Sequence, residues 1–415
     1  MFLFFEWKIS LMANIQPFQA VRPVRNKVCI VPSYPYENYN QHEINRYIKN
    51  NPYSFLNIIA SNYIRRLPKE KKYRAIRKQY QKFKRKGIYM QDYLPFLYVM
   101  RITDVLGNVF TGIVGLTPIE DYKEGKILRH EKTMDKRVKL FADYLENVRI
   151  QADPVMLTYP PETEINRMVE KFQGQVSEYE FSTTDGTVYE VWLVSDFDDI
   201  KKLQQLFSQI EKLYIADGHH RVESTLVTRE KLKAANPYHT GKEAYNYLLS
   251  FFIPYDQLKI YPFHRGLNNL NGMDADVFLQ HLKEKFDLEP LPNYRDPQRH
   301  EMVLYLDGKF YLIRIPSRYL EGGRNDVDVL NDEIIRGILK VKDPRNNKVI
   351  RYHSGKFGVK CVLRQVKEKK CRGTFFLHPL TFSEIKAVAD KGKTLPPKST
   401  YIDPKLLTGL FVYEF

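Results

Sequence analysis

The sequence runs to 415 residues, 43% of them apolar and 13% aromatic, with a formal net charge of +16. At about 150 residues per domain this is chain enough for two or three cores, and 29 Tyr with 25 Phe exclude a disordered polymer. The surplus of 65 Lys and Arg over 49 acids fits nucleic acid, an anionic membrane surface or phosphorylated small molecules, and by itself selects none of them.

In chain order, residues 1–13 read as a disordered extension. The opening MFLFF is interrupted by Glu6 and Lys8, so no signal peptide is expected. From Arg65 to Lys86 there are twelve Lys or Arg against one acid, Glu70. With Tyr73, Tyr80 and Phe83 near helical spacing, this reads as a solvated helix whose aromatics face the core; a phosphate-backbone patch is the sharper alternative. One such helix is not a nucleic-acid domain, and no nucleic-acid partner is expected. Three hairpins follow from Gly-containing turns between β-rich runs, at Gly107-Asn108, Asp185-Gly186 and Asp307-Gly308. Amphipathic helices are expected after Thr133, over FDDIKKLQQLFSQIEKL, over DVFLQHLKEKF and over TFSEIKAVADKG.

Strands and helices interleave throughout, so the fold class is α/β or α+β with mixed sheets. The irregular stretch Gly266-Leu267-Asn268-Asn269 suggests a boundary, dividing the chain into a domain over 14–266 and a second α/β domain over 267–415. The Pro- and Lys-rich tail from Leu395 to Gly409 is expected to lie as an ordered arm over other parts. Cys29, Cys361 and Cys371 form no CxxC pair and read as reduced thiols of a cytoplasmic protein. No apolar run approaches the roughly 20 residues that cross a bilayer, and no membrane partner is expected.

The strongest chemical signal is LYIADGHHRVEST, residues 213–225. Leu213 to Ala216 is a short buried-strand pattern, Asp217-Gly218 a turn, and Arg221 onward can start a helix. Gly218 lets backbone approach a ligand closely, and amides at a helix start suit phosphate. His219, His220 and Arg221 add donors, and Asp217 can hold Mg²⁺ or orient a histidine. A zinc pair and a purely structural turn are the alternatives; adjacent histidines rarely face one metal, and no third ligand lies nearby. A second polar cluster, His130-Glu131-Lys132-Thr133, stands at a helix entrance. There Thr133 is a natural N-cap with Glu131 and Lys132 solvated, or Glu131 is a general base and Lys132 a phosphate partner.

Taken together, IQPFQAVRP, VPSYPYEN, NPYSFL, GKILRHEKT, IADGHHRVEST, YPFHRG and LPPKSTYIDPKLLTG resemble, in this order, the bacterial and archaeal domain-of-unknown-function 1015 family. The resemblance covers essentially the whole chain from Ile15. Two departures stand out: Pro32-Ser33-Tyr34-Pro35-Tyr36-Glu37 where the family reads close to Pro-Pro-Tyr-Asp, and Val222 where Tyr is usual. The middle of the chain is also similar to the ParB and sulfiredoxin-like superfamily, whose Arg-terminated turn holds nucleotide phosphates. In its free-serine kinases that turn reads Asp-Gly-His-His-Arg, and an upstream Glu is the base for the serine hydroxyl.

Carried over, the resemblance implies a ParB/sulfiredoxin-like mixed-sheet core that phosphorylates a small hydroxyl substrate, most directly free L-serine. ATP or ADP with Mg²⁺ would be the donor. Glu131 becomes the base, with Asp217, His219, His220 and Arg221 as metal and phosphate site and Gly218, Lys132 and Thr133 beside the nucleotide. The serine carboxylate would need its own cation, from Arg265, Lys398 or Lys405. The rival reading is a nucleotide-binding ParB-like switch acting on DNA or a protein partner, although no helix-turn-helix segment is visible. Sulfiredoxin-like repair is set aside, since it needs a catalytic Cys in the phosphate turn.

Overall fold

The computed structural model describes residues 13–343, 347–368 and 371–415. The chain divides into two compact units. One takes the chain up to Arg129, then Thr133–Leu258 and Pro404–Phe415; the other takes His130–Lys132 and Lys259–Asp403. The boundary therefore falls before Lys259 rather than after Gly266. The physical reason is that Lys259–Leu267 is one strand, and Gly266 and Leu267 still pair with neighbours on both sides. The expected extension over 1–13 lies outside the described residues except for Ala13, which is buried and donates its amide to the Ile210 carbonyl at 2.8 Å.

In the first unit, eight strands are labelled in chain order: β1 Leu97–Thr103, β2 Val109–Pro118, β3 Ile127–Leu128, β4 Val155–Tyr159, β5 Tyr179–Ser182, β6 Val188–Val194, β7 Leu213–Asp217 and β8 Tyr247–Pro254. They form one mixed sheet in the order β3-β7-β4-β8-β2-β1-β6-β5. The β3–β7 and β4–β8 pairs are parallel and the remainder antiparallel. Both hairpins expected here are present, and Gly107 and Gly186 take the positive φ that their turns require. Alternation puts Val155, Leu157 and Tyr159 of β4 with Leu213 and Ile215 of β7 in one core. The helices Thr163–Gln173 and Phe197–Phe207 close that core with Ile165, Met168, Phe172, Leu203 and Phe207.

Three further helices are α1 Lys69–Arg85, α2 Asp135–Val148 and α3 His219–Ala234. The aromatics of α1 do face inward: Tyr73, Ile76, Tyr80 and Phe83 join Val21, Phe55, Val148 and Val412 in a second core of this unit. Tyr80 Oη donates to Glu414 at 2.7 Å, and Lys84 pairs with the same carboxylate at 2.8 Å. At the chain end, beyond the 395–409 segment, Val412 bonds Val21, and Tyr413–Glu414 pairs with Ile150–Gln151.

The second unit holds β9 Lys259–Leu267, β10 Asp287–Leu291, β11 Glu301–Leu306, β12 Lys309–Arg314, β13 Ile350–Ser354, β14 Gly373–Leu377 and β15 Thr400–Asp403. They are antiparallel in the order β10-β12-β11-β14-β9-β13, with β15 on β9. The third hairpin joins β11 to β12 through Asp307 and Gly308, both at positive φ, as a two-residue turn of this hand demands. Val303, Leu312 and Phe376 pack with Val362 and Val366 of the helix Gly358–Glu368. Among the described residues no helix is long and apolar enough to cross a membrane.

Candidate functional site

In β7, Leu213 and Ile215 point into the core, and strict alternation would send Asp217 after them. A bulge at Ala216 prevents this: Ile215 faces Leu157 while Asp217 faces the adjacent Met156. The extra residue re-aims the Asp217 side chain away from the core, as bulges do at strand ends. Gly218 follows at φ +102 as the cap of α3, and no side chain caps that helix or adds an acid to its first turn. Sixteen residues of helix thus present their positive end at the turn.

Arg221 folds back over Gly218. A Cβ built on Gly218 would lie 3.0–3.1 Å from the guanidinium, so the absence of a side chain is what lets the two approach. Its Nη2 donates to Asp217 Oδ2 at 2.8 Å and its Nη1 to the Pro154 carbonyl at 2.6 Å. Those contacts use two of five N–H donors. Lys405, from the C-terminal tail, reaches Asp217 Oδ1 at 3.5 Å. Burial pushes the Asp217 carboxyl up, but Lys405, Arg221 and His219 outweigh it and hold it at about 2.

The expected donors do not all serve alike. His219 is buried at 5% exposure and is among the groups that lower the Asp217 carboxyl. His220 Nε2 accepts the Met134 amide at 3.0 Å, so in this arrangement that nitrogen is an acceptor and not the phosphate donor expected of it. The contact instead ties α3 to the cap of α2. Thr133 does not cap α2, because the cap position is Met134 and no side chain bonds there. Val222 is fully buried in the sheet core.

Three segments remote in sequence close around the turn, and reading by motif passed over the residues they bring. Asp153 precedes β4; the Thr408 hydroxyl donates to its Oδ1. Burial pushes the Asp153 carboxyl up, opposed by Arg221 and Thr408. Ser33 of the proline-tyrosine loop exchanges two backbone bonds with Thr408, at 2.7 and 3.1 Å, and Gly409 bonds Ala152 at 2.8 Å. Glu37 of the same loop acts on Asp153 as a nearby negative charge and pairs with Arg137. The signal was available in part, since VPSYPYEN and LLTG both carry the family resemblance.

The other expected residues lie in the second unit, where three more motifs meet. Glu131 bridges Leu395 in parallel, and the Leu395 amide donates to the His130 carbonyl at 2.8 Å. Arg265 is 0% exposed, its guanidinium 4.6 Å from the Tyr352 ring centre. It donates to the carbonyls of Phe263 at 2.6 Å and Pro397 at 3.3 Å, and no carboxylate among the described residues pairs with it. Burial lowers it to about 10. Lys398 stands at φ +56 with Nζ 5.1 Å from the Phe263 ring centre. Lys132 is exposed. Of the three cations expected for a carboxylate, Lys405 thus belongs to the Asp217 turn, while Arg265 and Lys398 share the 395–398 segment.

Among the described residues no group of three or more His, Cys, Asp or Glu is placed to hold a metal. Asp217 is already paired with two cations, so these residues fit Mg²⁺ only as a companion of bound phosphates, its usual mode. Phosphate itself fits the turn better, through the helix end, the remaining Arg221 donors and Lys405.

A family model described as a protein of unknown function, DUF1015, matches residues 15–335. The chain belongs to the DUF1015 family. The match takes in the Asp217 turn, Glu131 and Arg265 and stops short of the 395–409 motif. No curated protein matches the chain. Among solved structures, a free serine kinase in complex with AMP is 16% identical at a TM-score of 0.36, covering 72% of this chain and 92% of that one. SbnI with a C-terminal truncation, from Staphylococcus aureus, is 13% identical at 0.38, covering 72% and 87%. A conserved hypothetical protein from Pyrococcus furiosus is 14% identical at 0.36, covering 72% and 95%. At such scores these likenesses carry no argument about function.

Proposed function

We propose that this DUF1015 protein is a nucleotide-dependent phosphotransferase acting on a small hydroxyl compound, with free L-serine the first acceptor to test. The observation that carries the reading is the Asp217–Arg221 turn. An uncapped helix end, a glycine in a left-handed conformation, Arg221 with donors to spare and Lys405 meet in one place. Phosphoryl transfer asks a protein chiefly for positioning and charge neutralisation, and these groups supply both.

In this reading Arg221, Lys405 and the first amides of α3 hold the phosphates of ATP or ADP. Asp217 sets the pose of both cations. His220 fixes the start of α2, and His219 adds positive field. Mg²⁺, when it accompanies the nucleotide, neutralises phosphate charge. Glu131 takes the proton of the acceptor hydroxyl, the role implied by the resemblance to ParB-like free-serine kinases. Arg265 or Lys398 serves the acceptor carboxylate. The test is incubation of the purified chain with ATP or ADP and a panel of free amino acids and polyols, with products read by mass. A phosphorylated acceptor is expected. No product from any acceptor, together with no nucleotide binding by calorimetry, overturns the reading.

A further inference from the structure

The geometry points to a second function of the first unit: a surface for single-stranded nucleic acid, formed by the outer face of α1 and the groove at its C-terminal end. It stands independently of the phosphotransferase reading. At about 100° per residue, the buried Tyr73, Ile76, Tyr80 and Phe83 mark one side of α1. Diametrically opposite run Lys71, Arg74, Lys78, Lys82 and Arg85, all exposed and spaced by three or four residues. At about 1.5 Å per residue the stripe is about 21 Å long.

This stripe is not an ordinary solvated face. The ion pairs of α1 are made by Lys69 with Asp143 and by Lys84 with Glu414, beside the buried side. Among the described residues the five stripe cations have no ion pair. Like charges at three and four residues repel and weaken a helix, yet the stripe contains no acid to relieve them. A polyanion relieves all five at once. A membrane does not suit the same helix, since its apolar side is already spent on the core.

The stripe runs on into a groove. Lys86, next after Arg85, lines an open concavity of about 560 Å³ with Asn26, Lys27 and Tyr53. Tyr53 is 37% exposed, and Lys27 Nζ lies 4.5 Å from its ring centre. The groove is held by the Val24 amide, which donates to the Ile88 carbonyl at 3.0 Å. With Lys27 over one face of the ring, a base would stack on the other, and Lys27, Lys86 and the Asn26 amide supply partners for its phosphate and edge. Only an unstacked base can use that ring, which favours a single strand over a duplex.

The test uses the full chain and a fluorescent oligo-dT of about 20 nucleotides, enough to span stripe and groove. Anisotropy is followed as salt rises from about 50 to 300 mM. With five to seven phosphates engaged, log K against log salt should fall with a slope of about −3.5 to −5. Lys78→Gln with Lys82→Gln should weaken binding at least about tenfold at low salt and flatten the slope by about 1.4. Tyr53→Ala should weaken it about tenfold with the slope unchanged, because stacking releases no counterions. Lys201→Gln with Lys202→Gln, an equal charge change at exposed positions of another helix, should leave binding alone. Circular dichroism checks the fold of each variant, and Arg74→Gln with Arg85→Gln replaces any stripe variant that fails it. Absence of binding at the lowest salt overturns the proposal, as does equal loss in the control pair. So does equal binding of a duplex of the same length with Tyr53→Ala silent. Capture by phosphatidylserine vesicles but not by oligo-dT would assign the stripe to a membrane and overturn it likewise.

Discussion

Arg221→Ala is the sharpest perturbation of the phosphate turn, because it acts on folding and on ligand binding by separable amounts. On the folding side it removes the pair with Asp217, whose side chains are 25% and 44% exposed; exposed pairs of this kind contribute about 0.2–1 kcal/mol. It also strips the buried Pro154 carbonyl of a donor at 2.6 Å, a loss of about 1–3 kcal/mol where water does not replace it. A net destabilisation of about 1–3 kcal/mol is expected, or a few degrees in Tm for a unit of this size. On the binding side, a hydrogen bond to a charged phosphate is worth about 1.5–3 kcal/mol, so affinity for ADP or ATP should fall about ten- to hundredfold. Arg221→Lys keeps the charge but not the fork and should fall between. Titration calorimetry well below the melting temperature separates the two effects. Equal nucleotide affinity in the alanine variant and the parent would refute the reasoning, since no other side chain contributes as many donors to the turn.

Other expectations follow from the same geometry. Glu131→Gln should cut turnover about 10²- to 10⁴-fold with nucleotide affinity unchanged; parallel rate and calorimetric measurements decide it, and unaltered turnover removes Glu131 from the mechanism. Gly218→Ala should cost about 1–2 kcal/mol from the left-handed backbone alone, and its Cβ would also displace the Arg221 guanidinium, so both melting temperature and nucleotide affinity should drop. Asp217 is held at about 2 in the fold against an ordinary 3.8, so its contribution is present above about pH 4 and is lost as pH falls toward 2. Denaturant midpoints across that window should fall more for the parent than for Asp217→Asn. Val222→Tyr should destabilise by about 1–3 kcal/mol through overpacking, because Val222 is fully buried; denaturant titration reads it directly.

The family motifs and the local architecture were largely legible without a structure. Gly107, Gly186 and Gly308 betray their turns because only glycine adopts those backbone angles cheaply. The apolar spacing of Tyr73, Tyr80 and Phe83 gives the inward face of α1, since 3.6 residues per turn leaves little choice. The Asp217–Arg221 turn could be read for the same reason, its strand, glycine and helix start being consecutive. Other features depended on partners far along the chain. Thr133 has the chemistry of a cap, but the helix begins one residue later, where His220, 86 positions on, takes the Met134 amide. Lys405 and Lys398 look alike in sequence, yet Pro404 onward returns to the first unit and Lys398 does not. Asp153, Thr408 and Ser33 meet only because strand pairing and tail packing bring remote segments together. Short-range sterics and hydrogen bonding write themselves into neighbouring residues, whereas long-range contacts are selected by the packing of whole elements, and no single segment of this sequence records that choice.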